Sequence, residues 1–311
     1  MKAFPPAMQT AYTAANEKSL GGAGMAGLDD GQRDFFWEHG YVVVENAVDT
    51  CLLAELRGDF GTWVEESRRH NDPWGDTADG RPRFDLEPGH TAERLGLRRV
   101  NAPIEVSEAY FRATTDSRMT DFVATLIGPA VKLHHTKINS KLPGGHTEVK
   151  WHQDFPFTPH SNDDIVTALL MVDEVTEENG PLKVLPGSHR GPIHGLWHGG
   201  AFTGAVADEV AAEAERAAVV CTGPAGAVCL MHTRLMHGSA PNRSARPRTL
   251  HISVYSAEDA VPSSPNPMPN RYEGLMVRGE RSGRIRSTAF ELQLPQLPTT
   301  ASFFDQQAKH E

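Results

Sequence analysis

Between residues 131 and 255 the chain carries six aliphatic or β-branched segments in succession, at 131–142, 165–175, 182–185, 217–220, 227–237 and 249–255, parted by Gly, Pro and Asn. Parallel strands need a long crossover, usually a helix, between each pair. Here helices do not alternate with the segments, so the pattern predicts an antiparallel sandwich or barrel. Gly and Pro make up about 16% of the 311 residues, against roughly 12% in average proteins, which fits a turn-rich, strand-rich core. The Ala/Glu-rich stretch 205–216 reads as one helical insertion.

The residues ahead of this block read differently. Residues 1–28 are poor in apolar side chains and hold Gly21, Gly22 and Gly24, which predicts a flexible leader. Asp29 and Asp30 can cap a helix over 32–39 that Gly40 stops, and Tyr41 to Val44 then reads as a strand. Leu52, Leu53, Leu56, Phe60, Trp63 and Val64 recur at helical spacing within 50–70. A long loop is expected over 71–90 and a second helix over 107–127, closed by Gly128-Pro129. The expected organisation is a leader (1–28) and one domain (29–311), with a helical part at 29–129, a β core at 130–256 and an irregular wrap at 257–311.

Composition excludes some classes of function. A formal charge of −10 with no Lys/Arg block argues against nucleic acid or an anionic membrane as the main partner. No apolar run approaches the roughly 20 residues that span a bilayer, and the first 27 residues lack the apolar region of a signal peptide. Cys51, Cys221 and Cys229 imply no disulfide framework. The expectation is a soluble, cytoplasmic protein. Its oligomeric state is open, a homodimer being the commonest arrangement. Fifteen histidines raise the question of a metal.

Two constellations carry chemistry. In Trp151-His152-Gln153-Asp154, an extended chain points His152 and Asp154 to the same face, where both can grip one ion. H-x-D alone is a weak signal. His237-Gly238-Ser239 is followed by Asn242 and by Arg243, Arg246 and Arg248. A histidine there completes two His and one carboxylate, the facial set that leaves open positions on non-haem Fe(II). An arginine in the next strand offers a bidentate fork to a carboxylate. Of the three, Arg248 runs directly into the apolar strand.

Together these segments resemble the phytanoyl-CoA hydroxylase family of Fe(II)- and 2-oxoglutarate-dependent oxygenases. The resemblance runs from about Phe35 to Tyr255 and includes Phe36-Trp37-Glu38-His39-Gly40-Tyr41 and Glu178-Asn179-Gly180-Pro181-Leu182. It further includes Leu185-Pro186-Gly187-Ser188-His189, besides the two constellations. It implies a double-stranded β-helix (a cupin-like jelly roll) flanked by N-terminal helices. It also implies Fe(II) on His152, Asp154 and His237. 2-Oxoglutarate would be held by Arg248 and Ser239, with His135 and Asn139 as further candidates for the cosubstrate. O2 would be the oxidant, and the products succinate, CO2 and an oxidised small molecule. Related halogenases have a small residue where this chain has Asp154, so hydroxylation is favoured; desaturation, epoxidation and ring formation stay open. So does a metal-binding barrel without oxygenase activity.

Lys137 reads as an exposed residue or a substrate contact, and Trp151, Phe155 and Phe157 as core or as the aromatic wall of a substrate pocket. His232, five residues before His237, is expected to pack away from the metal. His189 is expected to serve as a structural hydrogen-bonding residue.

Overall fold

The structure is a computed structural model that describes residues 27–301 together with Phe304 and Gln307. The expected leader falls outside the described residues except for its last two positions. Helix α1 (Asp30–His39) begins at a capping box between Asp29 and Gln32 and ends at Gly40, φ +84°. Strand β1 (Tyr41–Val44) follows, then α2 (Thr50–Ser67), which buries Leu52, Leu53, Leu56, Phe60 and Trp63 along one face.

The loop expected over 71–90 is instead a hairpin. Its strands are β2 (Trp74–Asp76) and β3 (Pro82–Leu86), and β3 pairs with β4 (Leu97–Asn101), a strand the sequence did not announce. These strands lack apolar alternation because they bury charge: Arg98 pairs with Asp85 at 2.6 Å and Arg83 with Glu105 at 2.7 Å. The expected helix over 107–127 is also two, α3 (Glu108–Thr115) and α4 (Arg118–Ile127). The hydroxyls of Thr114, Thr115 and Ser117 bond to carbonyls four residues back at 2.6–2.9 Å. That competes with the helical ladder, and Asp116 leaves helical backbone at φ −137°. The part 29–129, expected to be helical, thus supplies four strands as well.

The remaining elements are β5 (Val131–Lys141), β6 (Val149–His152), β7 (Ile165–Met171), β8 (Leu182–Val184), β9 (Trp197–His198) and β10 (Ala201–Phe202). They continue with α5 (Asp208–Arg216), β11 (Val219–Cys221), β12 (Val228–His232), β13 (His237–Ser239), β14 (Arg248–Ala257) and β15 (Met276–Arg278). A nine-stranded antiparallel sheet runs β1-β12-β7-β14-β5-β4-β3-β2, with β15 also on β5, and a four-stranded sheet runs β11-β8-β13-β6. Leu169, Met171, Leu250 and Ile252 of the large sheet pack against Leu182 and Val184 of the small one. Val166, Ala168 and Leu170, on the opposite face, share one apolar cluster with residues of α2 and α4. This is the expected mainly β, jelly-roll core with helices flanking one face.

One strand expectation fails where it matters most. The run 227–237 is not a single strand: β12 ends at His232, and the chain turns through 233–236 before β13 begins at His237. Leu235 N bonds to His232 O at 2.9 Å within that turn, and Arg234 is anchored on Asp163 at 2.8 Å. The turn carries the chain from the large sheet to the small one. His232 packs against Phe36 and Trp37, as expected, but because it lies on another strand.

Candidate metal centre and its two chambers

Strand β6 ends at His152, and the register of the small sheet sets His237 of β13 directly opposite it. The two imidazoles lie 4.1 Å apart, centroid to centroid. Asp154 is not on an extended strand, as the H-x-D reading assumed. It sits in helical backbone (φ −73°, ψ −32°) at the start of a short 3-10 turn, and that turn swings its carboxylate back over the strand end. Asp154 Oδ1 lies 3.5 Å from His152 Nε2 and 3.6 Å from His237 Nε2. One ligand atom from each of the three residues falls within 4.8 Å of the others.

This donor set fits a divalent metal ion. His152 Nδ1 donates to Lys150 O at 2.8 Å and His237 Nδ1 to Leu235 O at 3.0 Å. Each bond fixes the tautomer that leaves Nε2 bare. Burial and the neighbouring His152 push His237 down to about 4, so it is neutral at pH 7. Burial works to raise the Asp154 carboxyl, but His237, His152 and Lys137 outweigh it and hold it well below the usual carboxylate range. Thr167 Oγ1 donates to the other carboxylate oxygen, Oδ2, at 2.7 Å.

Two cavities, of about 690 and 590 Å3 counted to their mouths, meet at Lys137, His152 and Asp154. Strand β5 explains the division. His135, Lys137, Asn139 and Lys141 alternate onto one face of it, opposite Val254, Ile252, Leu250 and Arg248 of β14. The face therefore carries a polar side chain at every second position from one chamber to the other.

The deeper chamber is lined by Asn139, Lys141, Ser239 and Arg248 around Leu169, Leu182, Leu250 and Ile252. Arg248 donates from Nε and Nη2 to Gly180 O at 2.9 and 2.6 Å. Burial lowers Arg248 to about 10, so it keeps its charge. Arg246 is exposed and pairs with Glu174, and Arg243 is exposed. Lys141 Nζ donates to Ser239 Oγ at 2.6 Å and also to Ala240 O. Burial and Arg248 push Lys141 well down. Asn139 Oδ1 is buried without a hydrogen-bond partner. The Arg248 cation, the Lys141 amine, a hydroxyl and an amide around an aliphatic sleeve fit a dicarboxylate. Lys141 escaped the sequence reading; its place in the alternation after Lys137 and Asn139 was the available signal.

The outer chamber is lined by Arg81, Arg99, His135, Lys137, Phe157 and Met268, and is roofed by 295–298 and Ala301 of the C-terminal segment. His135, expected beside the cosubstrate, faces this chamber instead, because it lies two pleats from Asn139. It shares a 2.6 Å hydrogen bond with His134 through their Nδ1 atoms. Burial and then Arg99 push Lys137 down to about 8. Phe157 meets His152 edge-on at 5.6 Å. Trp151 and Phe155 are corrected to core. Trp151 packs with Leu196, Phe202 and Met236 and donates to Glu215 at 3.0 Å, and Phe155 packs with Ile165 and Val254. Lys150 donates to Gln307 O, and Arg278 and Arg286 pair with Asp121 and Asp259. His189 bonds to Trp37 O at 3.2 Å.

Among known proteins, the family model described as phytanoyl-CoA dioxygenase (PhyH) matches residues 36–250. The chain is 36% identical over 226 residues to a probable alpha-ketoglutarate-dependent hypophosphite dioxygenase of Stutzerimonas stutzeri, covering 71% of this chain and 75% of that one. It is 28% identical over 211 residues to an L-proline trans-4-hydroxylase of Streptomyces griseoviridis, covering 61% of this chain and 77% of that one. The crystal structure of EctD from S. alaskensis with 2-oxoglutarate and 5-hydroxyectoine superposes with a TM-score of 0.61 at 25% identity. It covers 88% of this chain and 91% of that one.

Proposed function

The chain belongs to the phytanoyl-CoA dioxygenase family, and from that premise we propose that it hydroxylates a C–H bond of a small molecule held in the outer chamber. It is an Fe(II)- and 2-oxoglutarate-dependent dioxygenase. In the proposed assignment His152, Asp154 and His237 hold the metal, while Arg248, Lys141 and Ser239 take the distal carboxylate of 2-oxoglutarate. The convergence of three ligand atoms where the two chambers meet carries this reading.

Bound Fe(II) supplies the oxidation, in which substrate, 2-oxoglutarate and O2 become hydroxylated substrate, succinate and CO2. The protein supplies position and dryness. The two backbone carbonyls fix the imidazole tautomers with Nε2 turned inward, and Thr167 fixes the carboxylate. Phe157 and the segment 295–301 cover the outer chamber, which keeps water from the reacting face. Residues 29–311 are read as one oxygenase unit.

The test is succinate production in air over a panel of amino acids, compatible solutes, acyl thioesters and phosphonates, compared with Asp154→Ala and His237→Ala. The expected result is substrate-dependent succinate from the wild type and none from either variant. Wild-type turnover with undiminished iron in either variant overturns the ligand assignment.

A further inference from the structure

We propose that the segment 294–301 is a lid shared by the two chambers, latched by Arg81 and drawn shut through Phe304 when the deeper chamber fills. This rests on the oxygenase reading above and adds a conformational step at the same site.

One stretch of chain walls both cavities. Pro295 to Pro298 and Ala301 line the outer chamber, and Phe304 lines the deeper one beside Lys141, Ser239 and Arg248. Three residues of chain span at most about 11 Å, so the walls at Ala301 and Phe304 shift together. Arg98 lies over the Phe304 ring at 5.2 Å, and Arg99, itself a wall of the outer chamber, at 6.0 Å. Ala301 and Phe304 are buried, whereas Leu294 and Leu297 are 57% and 41% exposed. The roof is thus seated at its far end and loosely covered along its middle.

Side chains fasten this roof. Residues 281–299 contain no helix or strand, and Pro295 and Pro298 have no N–H to donate. Trp197 Nε1 donates to Leu294 O at 3.1 Å and Asn101 Nδ2 to Ala301 O at 2.8 Å. Arg81, just past the tip of the β2–β3 hairpin, makes the widest connection. Its Nη1 donates to Thr300 O at 3.3 Å, its Nη2 to Pro267 O, and its Nε to Asp79 Oδ2 at 2.8 Å. Arg81 and Pro267 also line the outer chamber, so one guanidinium ties hairpin, loop and lid around a single cavity. A segment held by a few side-chain contacts, without a ladder of backbone bonds, opens at low cost. A molecule in the deeper chamber that packs on Phe304 gains contacts in the closed form that the open form lacks. It therefore shifts the population toward closure.

The test is hydrogen–deuterium exchange of the full chain, read by mass spectrometry under anaerobic conditions. A peptide covering 294–301 is followed, with one from β12 as internal control and the visible band of the Fe(II)–2-oxoglutarate complex as the measure of occupancy. In the Fe(II)-loaded enzyme, saturating 2-oxoglutarate should slow exchange in 294–301 about fivefold or more. Phe304→Ala should remove most of that slowing at a concentration that saturates the band, and Phe304→Leu should keep it. In the metal-free protein, Arg81→Met should speed exchange in 294–301 about fivefold or more, with Arg81→Lys intermediate and β12 unchanged. Should Arg81→Met loosen the whole fold, β12 exchanges faster as well, and Arg81→Lys carries the comparison. Unchanged exchange in a wild type whose band is saturated, or full slowing in Phe304→Ala, overturns the coupling. Wild-type exchange in the Arg81 variants overturns the latch. Absence of the band counts against the oxygenase reading, whereas the Arg81 comparison, made without metal or cosubstrate, reads the latch by itself.

Discussion

Asp154 is the residue on which most of the site's interactions converge. Its Oδ1 faces both imidazoles while its Oδ2 accepts from Thr167 at 2.7 Å. Contacts of this kind orient a ligand and tune its affinity. Thr167→Val keeps the shape and removes the hydrogen bond, so Fe(II) should bind roughly 10- to 100-fold more weakly, as read by anaerobic metal titration. Lys141 stands in the same relation to the cosubstrate. Lys141→Met should raise the dissociation constant of 2-oxoglutarate about tenfold or more, since the lost group is a buried hydrogen-bond donor facing a carboxylate. At this scale the sequence was informative where side-chain type and spacing define chemistry, as at His152, Asp154 and His237, which the fold brings together. It was silent on Lys141, Arg99 and Thr167, whose roles depend on which strands lie side by side. It also overstated the aromatic residues near the H-x-D. Trp151 and Phe155 satisfy the same hydrophobic pattern whether they face a pocket or a core.

Element boundaries decide whether the ligands meet. Had 227–237 been one strand, His237 would lie in the large sheet with β12. The turn at 233–236 instead sends it into the small sheet opposite His152. The polar triplet His232-Thr233-Arg234 marks the corner in that run, and the turn is stabilised by distant partners such as Asp163 for Arg234. Gly180 has a similar role ahead of β8. It adopts φ +80°, and a Cβ there would lie 2.7 Å from Ala240 O and 2.9 Å from Lys141 Cδ. Its carbonyl also holds Arg248. Gly180→Ala should therefore lower stability by about 1–3 kcal/mol and weaken 2-oxoglutarate binding several-fold, checked by denaturant unfolding and ligand titration. The hairpin β2–β3 and strand β4 were hidden for another reason. Their buried Arg83, Asp85 and Arg98 break the alternation on which strand recognition depends, although β4 is the element that places Arg99.

On the scale of the molecule, the antiparallel two-sheet architecture was legible because six strand segments without alternating helices leave few other solutions. The helical layer was legible from its caps and apolar spacing. Packing of the core buries several histidines in neutral form. Burial pushes His251 and His232 down to about 3 and His160 to about 4. Each has a folded pKa below its unfolded value near 6.5, so the unfolded chain binds more protons through the interval between them. Through these histidines, stability should fall as pH drops from about 6.5 toward 4. At pH 5 the loss should be about 2 kcal/mol or more relative to pH 7.5, measured by denaturant unfolding. Replacing His251 with Gln should flatten part of that slope. The central claim is that one Fe(II) sits on His152, Asp154 and His237 with 2-oxoglutarate beside it. The measurement that tests it most directly is anaerobic titration of Fe(II) into the protein with 2-oxoglutarate present, following the weak visible charge-transfer band. The account predicts a band that saturates at one equivalent in the wild type and is absent in Asp154→Ala. A full band in Asp154→Ala, or none in the wild type, would contradict it.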